Sequence, residues 1–370
     1  MTGLVSCTLD CNLKCEYCFE GNGDKDKCPD LKKINLRFEK GIDYIDSYID
    51  ELYELNNREQ TTIIWHGGEP TLIDPELLSE VMNRQHEKQH KIKWQIQTNG
   101  TLIPKYVSTF KKYKVYVGIS IDGLKKHHDK YRIMKNGNPT FDIINKNIDI
   151  LIENKIPFSV LVTITDNNVH DLIDIYKFLA KKNISFNFNA LYPRCNENDK
   201  ADLQVQDFSN AICELFDYWI EDQENKIIIG PFEQIIEGIL KPDRGVPACN
   251  WQKNCLDSFV AIDAQGDVYP CEHWVGYEDM KSGNITDGLK NIIENRAYFD
   301  NRVDQLIKTD CINCPIFKFC YGGCPWNAYM LLGDVNRADL SICDGRKKMI
   351  AHIYQYLKKY YKGEIPELEL

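Results

Sequence analysis

Cysteines carry the clearest chemical signature in this chain. Cys11, Cys15 and Cys18 stand in the run Cys-Asn-Leu-Lys-Cys-Glu-Tyr-Cys, separated by three and then two residues. Three thiolates this close can wrap one corner of an iron–sulfur cubane and leave one iron open to an external ligand. Structural zinc wants four ligands, and no suitably spaced histidine is nearby. A second group fills the last third: Cys249, Cys255, Cys271, Cys311, Cys314, Cys320, Cys324 and Cys343. Eight thiolates suffice for two fully ligated cubanes, and two CxxC pairs at zinc-ribbon distance are absent. Four cysteines fall outside these sets. Cys213 lies in an apolar helical pattern and reads as core; Cys195 has no assigned role, and Cys7 and Cys28 are undecided.

The composition agrees with thiolates as metal ligands. Fifteen cysteines in 370 residues, behind an N-terminus with no secretion signal, do not make a disulfide scaffold. Apolar residues at 43% and charged residues at 27% support a packed globular chain, long enough for two domains. A net charge of −10 argues against a nucleic-acid partner, whose phosphates need a basic face. No apolar run of about 18 residues is present, so no membrane helix is expected and the location is read as cytoplasmic.

The elements that must position these thiols alternate. Strands are predicted at 4–8, 62–65, 92–98, 115–121, 158–164 and 184–191. Helical patterns lie between them at 38–52, from Pro75, and at 103–110, 141–151 and 171–179. Six strands alternating with helices imply parallel pairing, hence an α/β fold: a partial (β/α)6 TIM-like barrel over residues 1–230. Its chemistry belongs at the C-terminal strand ends. A helix is expected at 208–220, and from about Pro231 the sequence reads as irregular. Residues 231–370 form a small cysteine-rich domain, with a hairpin at 259–269 turning at Gly266 and a last helix at 347–361. Metal clusters would supply the stability that its sparse core lacks.

The N-terminal triplet, with Tyr17 before its last cysteine and Phe19 after it, resembles the radical S-adenosylmethionine (SAM) superfamily. In that family a [4Fe–4S] cluster chelates SAM, and one electron cleaves it to a 5′-deoxyadenosyl radical. Further matches sit at predicted strand ends. Gly67-Gly68-Glu69-Pro70 resembles the motif that binds the SAM amino group, and Ser120 and Arg132 match positions that contact its carboxylate. Tyr17 and Leu191 match positions lining the nucleoside, and Asn99, in Gln97-Thr98-Asn99-Gly100, lies near the ribose. The C-terminal cysteines resemble the SPASM domain, which holds two auxiliary [4Fe–4S] clusters. The family scheme assigns Cys249, Cys255, Cys271 and Cys324 to the first and Cys311, Cys314, Cys320 and Cys343 to the second. Together with the N-terminal site this implies three [4Fe–4S] clusters and SAM as cofactors.

Two branches of the family compete. Anaerobic sulfatase maturases share this size and cysteine layout and oxidise a Cys or Ser to formylglycine. Their pattern has an aspartate base where this chain has Glu272, a glutamine at His66 and a tyrosine at Glu20. These three departures point toward the other branch, which cross-links or epimerises ribosomally made precursor peptides, and that reading is preferred here. In it Glu272 is the catalytic residue, accepting a proton while an auxiliary cluster accepts the second electron; His66 and His273 are left as structural. The expected partners are a precursor peptide or protein substrate and an external donor of flavodoxin or ferredoxin type. No leader-binding domain precedes residue 4, so a separate protein or the barrel itself would bind the leader; that absence favours the sulfatase-maturase alternative. A non-catalytic iron–sulfur electron carrier is a third reading, but it would need no Gly-Gly-Glu-Pro motif.

Overall fold

Short apolar runs bounded by glycine and asparagine become strands here because both their faces are covered. In a computed structural model, β1 (Thr2–Ser6), β2 (Thr61–His66), β3 (Ile92–Thr98) and β4 (Tyr116–Ser120) pair in that order, all parallel. The structure describes residues 1–19, 38–191, 202–296, 298–299 and 301–368. Glu20, Cys28 and Cys195, singled out above, lie outside the described residues. The described chain divides into two units. One comprises Met1–Ile121, Asp129–Ser159 and Leu256–Tyr298; the other comprises Asp122–His128, Val160–Cys255 and Phe299–Leu370.

In the first unit the strands bury Val5, Ile63, Trp65, Ile96, Val117 and Ile119. The helix Phe38–Leu55 lays Ile45, Tyr48, Ile49 and Leu52 into the same core, the face its four-and-three spacing foretells. A strand that the six-strand count omits completes this sheet. β7 (Phe259–Asp263) runs parallel to β1, with Val5 opposite Ile262 and Ser6 opposite Asp263. The hairpin read at 259–269 therefore exists, turning back into β8 (Asp267–Tyr269) and then β9 (Gly283–Asn284), and its first strand also extends the parallel sheet. Val260, Ala261 and Ile262 are buried in succession, which an interior strand permits and a solvated hairpin does not. Ser6, His66, Thr98, Ser120 and Asp263 thus share the C-terminal edge of five parallel strands.

The second unit contains the parallel pair β5 (Phe158–Ile164) and β6 (Phe186–Ala190), β5 beginning at the end of the first unit. The expectation of irregular chain from Pro231 is corrected: an 11-residue helix, Gly230–Leu240, starts there. Pro231 occupies its first turn without losing a bond, and Phe232, Ile235 and Ile239 bury one side. Phe216, on the helix Val205–Glu221, packs edge-on against Phe232 and against Tyr356 of the helix Cys343–Tyr360, each at 5.4 Å. Cys213 is buried on Val205–Glu221, as its apolar pattern implies. No helix among the described residues is long and apolar enough to cross a membrane.

Asp263 is fully buried at the β7–β8 turn. Its Oδ1 accepts from the N–H groups of Gln265 (2.8 Å) and Asp267 (3.0 Å), while Oδ2 has no partner. Burial pushes its pKa up to about 7 despite those two bonds. A carboxyl that is raised in the folded state stabilises fully below its unfolded pKa, and that contribution is lost as pH climbs toward 7. Asp263→Asn keeps the acceptor and removes the buried charge. Thermal midpoints should then match or exceed those of the parent at pH 8, and the decline between pH 5 and pH 7 should flatten.

Candidate active site

The cysteine loop is clamped from two sides within the first unit. On one side the chain after β1 is zipped to the chain after β2. The Cys7 N–H donates to His66 O (3.2 Å), Gly68 N–H to Thr8 O (2.7 Å) and Glu69 N–H to Asp10 O (2.9 Å). Only glycine fits there. Gly67 has φ +106° and a Cβ on it would strike Thr8 O, while a Cβ on Gly68 would lie 2.5 Å from Asp10 O. On the other side Lys14 N–H donates to Ile133 O (2.7 Å), Glu16 N–H to Tyr131 O (3.2 Å) and Lys135 N–H to Asn12 O (3.1 Å). The segment carrying Arg132 is thereby pinned along the loop carrying Cys11, Cys15 and Cys18.

Glu69 is buried and accepts four hydrogen bonds, three of them at Oε1. Its Oε1 accepts from Thr71 N–H (2.9 Å), Thr71 Oγ1 (2.5 Å) and Thr98 Oγ1 (2.7 Å), and its Oε2 from Asn99 N–H (2.7 Å). Burial still raises its pKa, with those bonds pulling the other way. The Asn99 side chain donates to Asn12 Oδ1 (2.8 Å) and lies 3.8 Å from Cys11 Sγ, which also receives the Leu13 N–H at 3.4 Å. Burial pushes the Cys11 thiol up to about 12, with Glu69 and Cys15 adding negative charge nearby. A thiol in that state is reactive only when a cation compensates it.

Ser120, at the end of β4, accepts from Gln97 Nε2 at 3.1 Å. Arg132 is mostly buried and places its guanidinium 5.2 Å from the Tyr17 ring centre, while Tyr17 meets Tyr131 edge-on at 5.9 Å. The first unit therefore brings together Cys11, Cys15, Cys18, Tyr17, Gly67, Gly68, Glu69, Asn99, Ser120 and Arg132 around one strand edge. Leu191 belongs to the second unit, where its N–H donates to Ile164 O (2.9 Å) at the end of β6. Gln97 and Thr98 belong to the run read from sequence as lying near the ribose, whereas Asn12 and Thr101 were not singled out. Thr101 Oγ1 donates to Asn99 Oδ1 (2.7 Å) and accepts from Asn12 Nδ2 (2.8 Å). Their polarity beside the two motifs was the available signal.

A second carboxylate at this edge is arranged differently. Glu272 follows Cys271, is 6% exposed, and has neither oxygen hydrogen-bonded. His66 Nδ1 lies 3.6 Å from its Oε1. Burial, with His66 assisting, pushes the His273 pKa down to about 3, so that imidazole is neutral. Phe19 stacks on it at 4.4 Å, and its Nδ1 lies 4.0 Å from Cys271 Sγ. Cys7 is fully buried, and desolvation together with Glu272 holds its thiol protonated.

The remaining cysteines of the C-terminal group lie in the second unit. The Cys249 thiol is pushed up by burial and by the charges of Cys324 and Cys255. That of Cys311 is pushed up to about 12 by burial and then by Cys320, Cys314 and Cys343. Cys249, Cys255 and Cys324 thus neighbour one another, as do Cys311, Cys314, Cys320 and Cys343, while Cys271 lies in the other unit. No three His, Cys, Asp or Glu among the described residues converge closely enough for a single metal ion. A cubane spreads its ligands over separate irons, so grouped but unconverged thiols that repel one another fit a cluster.

A family model described as Radical SAM superfamily matches residues 5–179, and one described as an iron–sulfur cluster-binding domain, SPASM, matches residues 249–315. A cysteine-type anaerobic sulfatase-maturating enzyme of Clostridium novyi is 30% identical over 334 residues, covering 86% of each chain. A radical SAM cyclopropyl synthase, TigE, of Paramaledivibacter caminithermalis is 28% identical, covering 96% of this chain and 74% of that one. The solved structure of native anSMEcpe with bound AdoMet superposes with a TM-score of 0.84 at 25% identity, covering 97% of this chain and 98% of that one. The thiol triplet on its clamped loop, the grouped C-terminal thiols and these matches agree: this chain is an enzyme of the radical SAM superfamily, in the branch whose members carry a SPASM iron–sulfur domain.

Proposed function

We propose that the enzyme oxidises a side chain of a peptide or protein substrate in the manner of anaerobic sulfatase maturation, with Glu272 taking up the proton. Glu272 carries this reading. A buried carboxylate without hydrogen-bond donors is costly unless something else uses it, and it stands at the edge that holds Glu69 and the cysteine loop. Similarity to sulfatase-maturating enzymes supports this alternative over the peptide cross-linking preferred from sequence.

Cys11, Cys15 and Cys18 would hold the cluster that binds SAM. Cys249, Cys255, Cys271 and Cys324 would hold a second, and Cys311, Cys314, Cys320 and Cys343 a third. When bound, the first cluster and SAM supply one-electron cleavage to a 5′-deoxyadenosyl radical. The chain's own residues do the rest. Glu69 Oε2 accepts a single bond and so retains capacity for an ammonium group. Arg132 and Ser120 offer a charged fork and a hydroxyl to a carboxylate, and Tyr17 keeps the guanidinium in place. Phe19 and neutral His273 exclude water beside Glu272. A substrate serine would give one hydrogen atom from carbon to the 5′-deoxyadenosyl radical, its hydroxyl proton to Glu272 and the second electron to an auxiliary cluster, leaving the aldehyde; a cysteine would leave the thioaldehyde, which water converts to the aldehyde with release of hydrogen sulfide. An external reductant of flavodoxin or ferredoxin type and a cytoplasmic setting complete the proposal.

His66 and Glu272 favour a second reading. They stand where the sulfatase-maturase pattern has glutamine and aspartate, so the substrate in contact with them differs. Precursor-peptide modification is that alternative, with the leader bound by a separate protein or by the enzyme itself.

Reduced, anaerobically reconstituted protein should convert SAM to 5′-deoxyadenosine, measured by chromatography. Cys18→Ala should abolish this while retaining about two-thirds of the iron. With a sulfatase-derived peptide bearing the target cysteine, mass spectrometry should find an aldehyde that hydrazine traps; an unchanged peptide, together with modification of a short precursor peptide, would transfer the assignment to the second reading. Glu272→Gln should keep SAM cleavage and lower peptide oxidation about 100-fold or more. Full turnover by that variant would remove Glu272 from the mechanism.

A further inference from the structure

The reaction above leaves a strained turn and a buried arginine unused. Cys320 ends the short helix Phe317–Cys320, and Cys324 stands just ahead of the helix Pro325–Leu332. Every residue between them is left-handed: Tyr321 at φ +46°, Gly322 at +75° and Gly323 at +73°. Glycine takes that region freely, whereas tyrosine does so at a cost, and such a conformation persists only where the surroundings enforce it. The turn is also tightly packed. A Cβ on Gly322 would lie 2.6 Å from Leu306 Cδ1, and one on Gly323 would collide with Arg346 Nη1.

Arg302 supplies the enforcement. It is 4% exposed and opens the helix Arg302–Leu306. Its Nη2 donates to Gly322 O and Gly323 O, both at 3.0 Å, and its Nη1 donates to Val335 O and Arg337 O. Four donated bonds thus end on main-chain carbonyls, two on the turn and two on a later segment. That segment is anchored separately. Asp339 N–H donates to Gly322 O (2.8 Å), and Arg337 holds Asp310, the residue before Cys311, through two bonds of 2.8 Å. One guanidinium fork therefore joins the turn between Cys320 and Cys324 to a strut that reaches the Cys311 loop.

We infer that Arg302 is a positioning residue for the auxiliary clusters: it fixes the left-handed turn so that Cys320 and Cys324, only four positions apart, serve different clusters. The inference rests on the proposed assignment of these two cysteines to separate clusters. A planar fork fixes two segments at once because its donors diverge within one rigid plane, whereas an ammonium group carries all its donors on a single nitrogen. Without the fork the turn relaxes toward right-handed backbone, and the two thiols compete for one cluster.

Iron analysis and electron paramagnetic resonance of the reconstituted holoenzyme test it, with 5′-deoxyadenosine formation as the check on the first cluster. Arg302→Gln should retain SAM cleavage, lose the two auxiliary signals of the parent and keep about one-third of its iron, that of the first cluster alone. Arg302→Lys, which keeps the charge without the fork, should behave like the glutamine variant. Arg302→Ala reconstituted with millimolar guanidinium ion should regain both auxiliary signals, which a general folding defect would not permit. Parent-like auxiliary signals in Arg302→Gln, or their full recovery in Arg302→Lys, would overturn the inference alone. So would an Arg302→Ala protein that guanidinium leaves unchanged. A parent protein lacking either auxiliary signal would remove the cluster assignment, and this inference with it.

Discussion

Three backbone hydrogen bonds hold the site together. Cys7 to His66, Gly68 to Thr8 and Glu69 to Asp10 sew the loop after β1 to the turn after β2. A thiol triplet on a free loop would repel itself apart, because each thiolate disfavours the next. Here the loop is registered by main-chain contacts that do not depend on the thiols' charge. The Gly67–Gly68 turn is what permits such close approach, and the pairing of Lys14 and Glu16 with Ile133 and Tyr131 closes the opposite flank. The cysteines are thus placed by parallel-sheet geometry, and the same geometry delivers Glu69, Asn99, Ser120 and Arg132 to one edge.

Two buried glutamates at that edge stand in opposite environments. Glu69 is surrounded by donors from Thr71, Thr98 and Asn99 and is fixed in position. Glu272 has none, and sits beside His66 and the neutral ring of His273. In the second unit charge is handled differently again: crowded thiols are accompanied by the buried cations Arg302 and Arg346. Arg302 is tied down by the carbonyls of Val335, Arg337, Gly322 and Gly323; burial lowers its pKa, with Cys324 the leading charge that opposes this.

Local patterns were legible wherever one segment supplies its own reason. β3 and β5 were bounded correctly from apolar runs ending in turn residues, and the helix at Phe38–Leu55 from its spacing. The helix beginning at Gly230 was not read from sequence although Phe232, Ile235 and Ile239 carry an amphipathic period, because a short segment that opens on Gly-Pro and holds Gly238 gives a weak local signal. The pairing of β7 with β1 could not be read at all. It joins residues more than 250 positions apart, and no local pattern encodes which edge of a sheet accepts a strand.

The sequence by itself determined the chemistry on offer: cysteine spacing, the glycine turn and the alternation of strands and helices depend on residue type and short separations. Only the tertiary structure decided how that chemistry is tuned. The isolation of Glu272 and the donors that Thr98 and Asn99 bring to Glu69 arise from distant segments meeting where water is excluded. Desolvation and charge act through space, so their strength is set by what the fold brings near and not by what lies adjacent along the chain.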